Sequence, residues 1–115
     1  MQVTDPTLVL DLQQLKDITL EDEELMREVL SALIEDTSRQ LSLLDKAIRQ
    51  HDAHGCVRLA HYSKGACANV GANRAAAKLK QIEQDATAHS FDECSASLRV
   101  LVEELDHLRQ EAAAL

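Results

Sequence analysis

Aromatic side chains make up only 2% of the 115 residues, with one tyrosine, one phenylalanine and no tryptophan. Any core must therefore be aliphatic, and no row of stacking platforms for nucleic-acid bases is available. Glycine and proline are also scarce, at three and one. That is too little turn chemistry for a meander of short strands, whereas the abundant Leu, Ala, Glu, Gln and Lys favour helix. All-β and repeat architectures are excluded. The three cysteines, Cys56, Cys67 and Cys94, form no CxxC pair and suggest neither a disulfide framework nor a structural zinc site. No apolar run approaches the roughly 18 residues needed to span a bilayer, and the start of the chain lacks a signal-peptide pattern. A cytoplasmic protein with no membrane association is expected.

Positive charge is short as well, with 12 basic against 20 acidic residues and a formal net charge of −8. Nucleic acid is therefore excluded as a partner. The deficit is uneven. Residues 1–50 hold 11 acids and 5 bases, and residues 91–115 hold 6 and 2, but residues 51–90 hold 3 acids and 5 bases. The middle third is the one region where an anion would be welcome.

The length fits one domain spanning residues 1–115, with 1–7 as a loose lead around Pro6. Leu8, Val9, Leu10, Leu12 and Leu15 predict a short helix docked on the body. Thr19-Leu-Glu-Asp22 reads as a capping box, and Glu21 to Glu24 suit the positive end of a helix dipole. Leu25, Val29, Leu33, Leu41, Leu44 and Ile48 then fall near helical spacing to about residue 50. Asp52 is the natural N-cap of a third helix over about 53–69, which should stop at Gly71. A fourth helix, about 73–88, carries Ala75, Leu79, Ile82 and Ala86. Beyond His89-Ser90, the residues Phe91, Cys94, Leu98, Leu101, Leu105, Leu108 and Ala112 alternate steps of three and four. The expected fold is all-α: an antiparallel four-helix bundle with a short extra N-terminal helix.

The third helix carries the chemistry. At about 100° per residue, Cys56, Leu59, Ala60, Ser63, Ala66, Cys67 and Val70 fall roughly 140° to 260° from His61 and form a buried stripe. His61 lies opposite, on a face shared with His54, Val57, Arg58, Lys64, Gly65 and Ala68, so it points at solvent or at a partner rather than into the core. Lys64 is three residues on and can reach the imidazole. Gly65, one turn above His61, stands in mid-helix where glycine costs about 1 kcal/mol relative to alanine, which suggests that a side chain there would obstruct something. Val57 and Ala68, apolar on a polar face, suit a docking patch with His54 and Arg58. An exposed imidazole with a neighbouring cation and clearance above it is a site for a phosphoryl group.

The run Ala60-His61-Tyr62-Ser63-Lys64-Gly65-Ala66-Cys67-Ala68-Asn69-Val70-Gly71-Ala72 resembles the signature of histidine-containing phosphotransfer domains, His-x-x-Lys-Gly followed after five residues by Gly and Ala. Leu79 to Glu83 resembles the family's Leu-x-x-x-Glu stretch in the next helix, and most of residues 8–110 fit. The resemblance implies a four-helix bundle whose histidine takes phosphate from a receiver-domain aspartate, or from a kinase, and passes it to another aspartate. It implies His61 as phosphoacceptor, Lys64 as the phosphate-side cation and Gly65 as the clearance residue. Tyr62 and Ser63 depart from the pattern, which favours an aliphatic residue and a leucine-like one there; Ser63 falls on the buried side and would weaken packing beneath His61. The partner expected is the receiver domain of a response regulator or hybrid histidine kinase, met by a monomer.

Competing readings are weaker. His51-Asp-Ala-His54-Gly-Cys56 contains metal-ligand types but straddles a turn. Glu104-x-x-His107 is half of a di-iron bundle motif, and without a second copy it reads as a solvated face. Cys67 falls in the core stripe as a packing residue. No metal site and no cofactor are expected. No glycine-rich phosphate loop is present, so the chain is read as a phosphoryl carrier rather than an enzyme that uses ATP. The alternative from another class is a helical adaptor that binds a receiver without carrying phosphate. The phosphoacceptor domain of a chemotaxis-type kinase is a third reading, disfavoured by the lack of a linker or kinase core.

Overall fold

The computed structural model describes residues 5–115 and contains five α-helices and no strand among them. They are α1 (Leu12–Ile18), α2 (Glu23–Arg49), α3 (Ala53–Val70), α4 (Asn73–Thr87) and α5 (Phe91–Ala113). Short turns join α2 through α5, so successive helices run antiparallel. The pairs α2–α3, α3–α4, α4–α5 and α5–α2 all pack, which closes the ring of a four-helix bundle. Of the proposed loose lead, residues 1–4 lie outside the described residues. Asp5 to Thr7 form a turn around Pro6, the Asp5 carboxylate accepting from the Thr7 amide at 2.9 Å.

Three aspartates start three helices. The Asp11, Asp22 and Asp52 side chains accept from the amides of Gln14, Leu25 and Gly55, each satisfying a donor that has no partner inside its helix. The capping box expected at Thr19 is not formed. Leu20 and Glu21 have φ of 54° and 62°, a left-handed reversal that ends α1, so α2 cannot begin before Asp22. Thr19 instead closes α1, buried, with its hydroxyl donating to the Leu15 carbonyl at 2.7 Å.

The core is aliphatic, with Leu15, Leu30, Leu44, Leu79, Ile82, Leu101 and Leu108 essentially sealed from solvent. In α5 the stripe from Cys94 through Leu98, Leu101 and Leu105 to Leu108 is buried as its period predicts. At the start of α2 the predicted phase is off by one position, and it comes into step at Leu33. Leu25 is 40% exposed, and the buried residues are Met26, Leu30, Leu33, Ile34 and Thr37. Steps of four advance a helical stripe by about 40° each, so the Leu25, Val29, Leu33 series drifts across the face instead of following it. The polar Thr37 belongs to the core stripe, its hydroxyl 3.9 Å from the Cys67 sulfur.

The segment before α2 is fastened to the turn between α3 and α4. The Asp11 amide donates to the Gly71 carbonyl at 2.8 Å, and the Arg74 amide donates to the Leu8 carbonyl at 3.0 Å. Gly71 permits this contact. Its φ is +88°, and an added Cβ would lie 2.7 Å from the Asp11 carbonyl oxygen. Gly71→Ala meets both the left-handed penalty and the overlap, so a loss of roughly 2–4 kcal/mol is expected. Thermal melting should show a fall of roughly 8–16 °C. An unchanged Tm would show that the turn relaxes freely and that the close approach of Asp11 is unimportant.

Candidate functional site

Antiparallel packing of α3 on α4 brings residues 61 and 64 alongside residue 83. His61 Nδ1 lies 2.8 Å from Glu83 Oε2, and Lys64 Nζ lies 2.6 Å from Glu83 Oε1. One carboxylate thus spans both side chains. The His61 side chain is 70% exposed, whereas Glu83 is only 20% exposed and Lys64 is half-buried. Burial works against charge on Glu83, but the hydrogen bonds and positive charges of Lys64 and His61 outweigh it and hold the carboxyl below its ordinary 4.5. Glu83 is therefore ionised near neutral pH and can only accept hydrogen bonds.

That fixes the imidazole. The ring nitrogen facing a carboxylate acceptor is the one that carries hydrogen, so in the neutral ring Nδ1 is N–H and Nε2 holds the lone pair. Nδ1 is occupied and the ring is mostly exposed, so the nucleophilic nitrogen is the one open to an incoming group. Gly65, one turn on, has no heavy atom within 4 Å of where a Cβ would stand. Neither packing nor backbone conformation requires glycine there, and a side chain at this position would start into open space.

The remaining predicted residues divide. His54, Val57 and Arg58 line one shallow depression with His61, Tyr62 and Glu83. Ala68 lies away from it, partly buried against the core, with its carbonyl taking a hydrogen bond from Gln14 Nε2 of α1. Ser63 is buried, and its hydroxyl has no hydrogen-bond partner among the described residues. Glu83 is the residue that reading the third helix alone does not supply, because its contacts come from a neighbouring helix. The available signals were its place at the end of the Leu79–Glu83 stretch and among only three acids in residues 51–90.

The weaker readings are separated by geometry. His51 stacks on Phe91 at 4.5 Å between ring centroids, while Cys56 is fully buried, so the residues of the 51–56 cluster point to different places. Among the described residues no group of three His, Cys, Asp or Glu side chains is placed to hold a metal ion. Glu104 corrects the expectation of a solvated face. It is 7% exposed and pairs with Arg74 Nη2 of α4, with His107 Nδ1 3.7 Å away at its edge. The position is one step of three beyond Leu101 and one step of four before Leu108, which places it on the core stripe. Burial pushes the Cys67 and Cys94 thiols up to about 11, so neither is a ready nucleophile near neutral pH. Among the described residues no helix is long and apolar enough to cross a membrane.

Comparison with known proteins places the fold. No curated protein matches the sequence. Among solved structures, histidine-containing phosphotransfer protein B from Pseudomonas aeruginosa superposes with a TM-score of 0.83 at 23% identity, covering 95% of this chain and 98% of its own. A rice protein assigned as a histidine-containing phosphotransfer protein superposes with a TM-score of 0.81 at 21% identity, covering 92% of this chain and 78% of its own. At these identities the likeness establishes the fold. The family model for the Hpt domain matches residues 28–111, well over half of the chain and including the whole His61–Lys64–Glu83 cluster, and the chain therefore belongs to the Hpt domain family.

Proposed function

We propose that the chain carries a phosphoryl group on His61 Nε2, taking it from the aspartyl phosphate of a receiver domain and passing it to the aspartate of another. The observation that carries this reading is the bridging of His61 Nδ1 and Lys64 by the single carboxylate of Glu83. In the forward step the Nε2 lone pair forms the N–P bond as the P–O bond to the aspartate breaks, and the carboxylate leaves with the electron pair. The ring becomes cationic with its Nδ1 hydrogen in place, and Glu83 balances that charge. No proton has to leave, so the step reverses readily towards the next aspartate. Lys64 stands where its ammonium can turn from Glu83 to the transferring oxygens, whose charge it offsets. Residues 1–115 act as one cytoplasmic unit with no ATP chemistry of their own.

The test is transfer of radiolabelled phosphate from purified phospho-receiver domains to the chain, read as an acid-labile, alkali-stable adduct. No adduct with any receiver that binds the chain would favour a receiver-binding adaptor. Lys64→Ala should fold, with a loss of about 1 kcal/mol from its ion pair with Glu83. It should transfer about tenfold to a hundredfold more slowly, the cost of one lost charge-assisted contact of roughly 1–3 kcal/mol. Wild-type rates in Lys64→Ala would make the cation incidental and leave Glu83 as the only group tuning His61.

A further inference from the structure

The chain has one tyrosine, and it is not spent on the core. Tyr62 is 54% exposed and lines the same depression as His54, Val57, Arg58, His61 and Glu83. Its ring is fixed at both ends. The Cβ belongs to α3, and the hydroxyl donates to Asp36 Oδ2 of α2 at 3.0 Å. Asp36 is itself steadied by Arg39 Nη2 at 3.4 Å. The hydrogen bond to Asp36 also raises the Tyr62 phenol above its usual value, so it stays protonated and donating. A large apolar ring that is exposed yet already ordered loses little entropy when a partner covers it, and such aromatic anchors dominate protein interfaces.

We infer that Tyr62, held in place by Asp36, is a specificity-determining contact that selects which receiver domains dock over His61. The inference rests on the phosphotransfer function proposed above. The receivers favoured are those that present an apolar surface to the ring beside their phosphorylated aspartate and an acidic group to Arg58. Tyr62 follows His61 directly and so points about 100° away from it around the helix. It therefore meets the partner rather than the transferring phosphoryl group, and its contribution is to docking and not to the chemical step.

The experiment measures single-turnover phosphotransfer against receiver concentration, using a panel of purified receiver domains phosphorylated with acetyl phosphate. Wild type is compared with Tyr62→Ala, Tyr62→Phe, Asp36→Ala and the Tyr62→Phe/Asp36→Ala double variant. Tyr62→Ala should raise the half-saturating concentration of the preferred receiver about tenfold, with the limiting rate changed less than about twofold, and should flatten the ranking across the panel. Tyr62→Phe and Asp36→Ala should each give a smaller rise, and the double variant should be no worse than either, because both remove the same tether. Equal half-saturating concentrations for wild type and Tyr62→Ala across the panel would overturn the inference. A loss confined to the limiting rate would also overturn it, by placing the ring in the chemistry. Wild-type chain that takes no label from any receiver would instead overturn the phosphotransfer reading itself, and the inference with it.

Discussion

His61→Gln is expected to remove phosphorylation altogether. The amide that replaces the imidazole has no nucleophilic lone pair on nitrogen, so the N–P bond cannot form. Its NH2 group can still donate to Glu83, so the cluster and the helix should stand. Melting should stay within about 0.5 kcal/mol of wild type, as for other exposed substitutions. Transfer from a phosphorylated receiver should fall to the background of the assay, a loss of more than about a hundredfold. The other described histidines lack this setting. His51 and His89 pack on Phe91, His107 lies beside the buried Glu104–Arg74 pair, and among the described residues no carboxylate holds a ring nitrogen of His54. Acid-labile label that persists in His61→Gln would move the acceptor elsewhere and undo the assignment.

How much of this was legible in the sequence depended on whether a feature lies within one helix or between two. The face shared by His61, Lys64 and Gly65 is a matter of 100° steps along α3, and the structure places it on the exposed side opposite the core stripe. The ends of α3 were equally local, since Asp52 supplies its own cap and Gly71 alone tolerates φ of +88°. Glu83 was legible only as the end of the Leu79–Glu83 stretch, with no role attached, because its contacts with His61 and Lys64 come from the register of α4 against α3. For Glu104 the place on the α5 core stripe was legible from its spacing to Leu101 and Leu108, but its partner Arg74, thirty residues earlier in another helix, was not. In α2 the error had a different source. Leu25 and Val29 satisfy hydrophobicity but not phase, whereas Leu33 is buried as expected, and Thr37, a core residue, carries a hydroxyl that hydrophobic counting passes over. Chemistry confined to one helix can be read from periodicity, whereas chemistry shared by two requires their relative register.

The same single-helix logic gives the sharpest test of access to His61, at Gly65. An added Cβ would meet nothing within 4 Å, and the backbone there is ordinary helix. Gly65→Ala should therefore stabilise the chain by about 1 kcal/mol, the difference in helix propensity, and raise the melting temperature by about 4 °C. A longer side chain has a different consequence. Helical side chains lean toward the N-terminus, so a residue at 65 lies over the turn that holds His61. Gly65→Gln should remain folded, since the site is open to solvent, but should occupy the space through which the receiver aspartate reaches Nε2. In-line transfer tolerates little displacement, and holding the reacting atoms even about 1 Å apart from their productive separation is enough to slow it about a hundredfold. Melting temperature and phosphotransfer measured together on both variants separate the explanations. A glycine retained for packing would lose stability in both, and a glycine retained for clearance gains stability in the alanine variant and loses transfer in the glutamine one. If Gly65→Gln transfers as fast as wild type, the receiver does not approach along α3 over residue 65, and docking must be sought from the side of the α3–α4 groove where Glu83 lies.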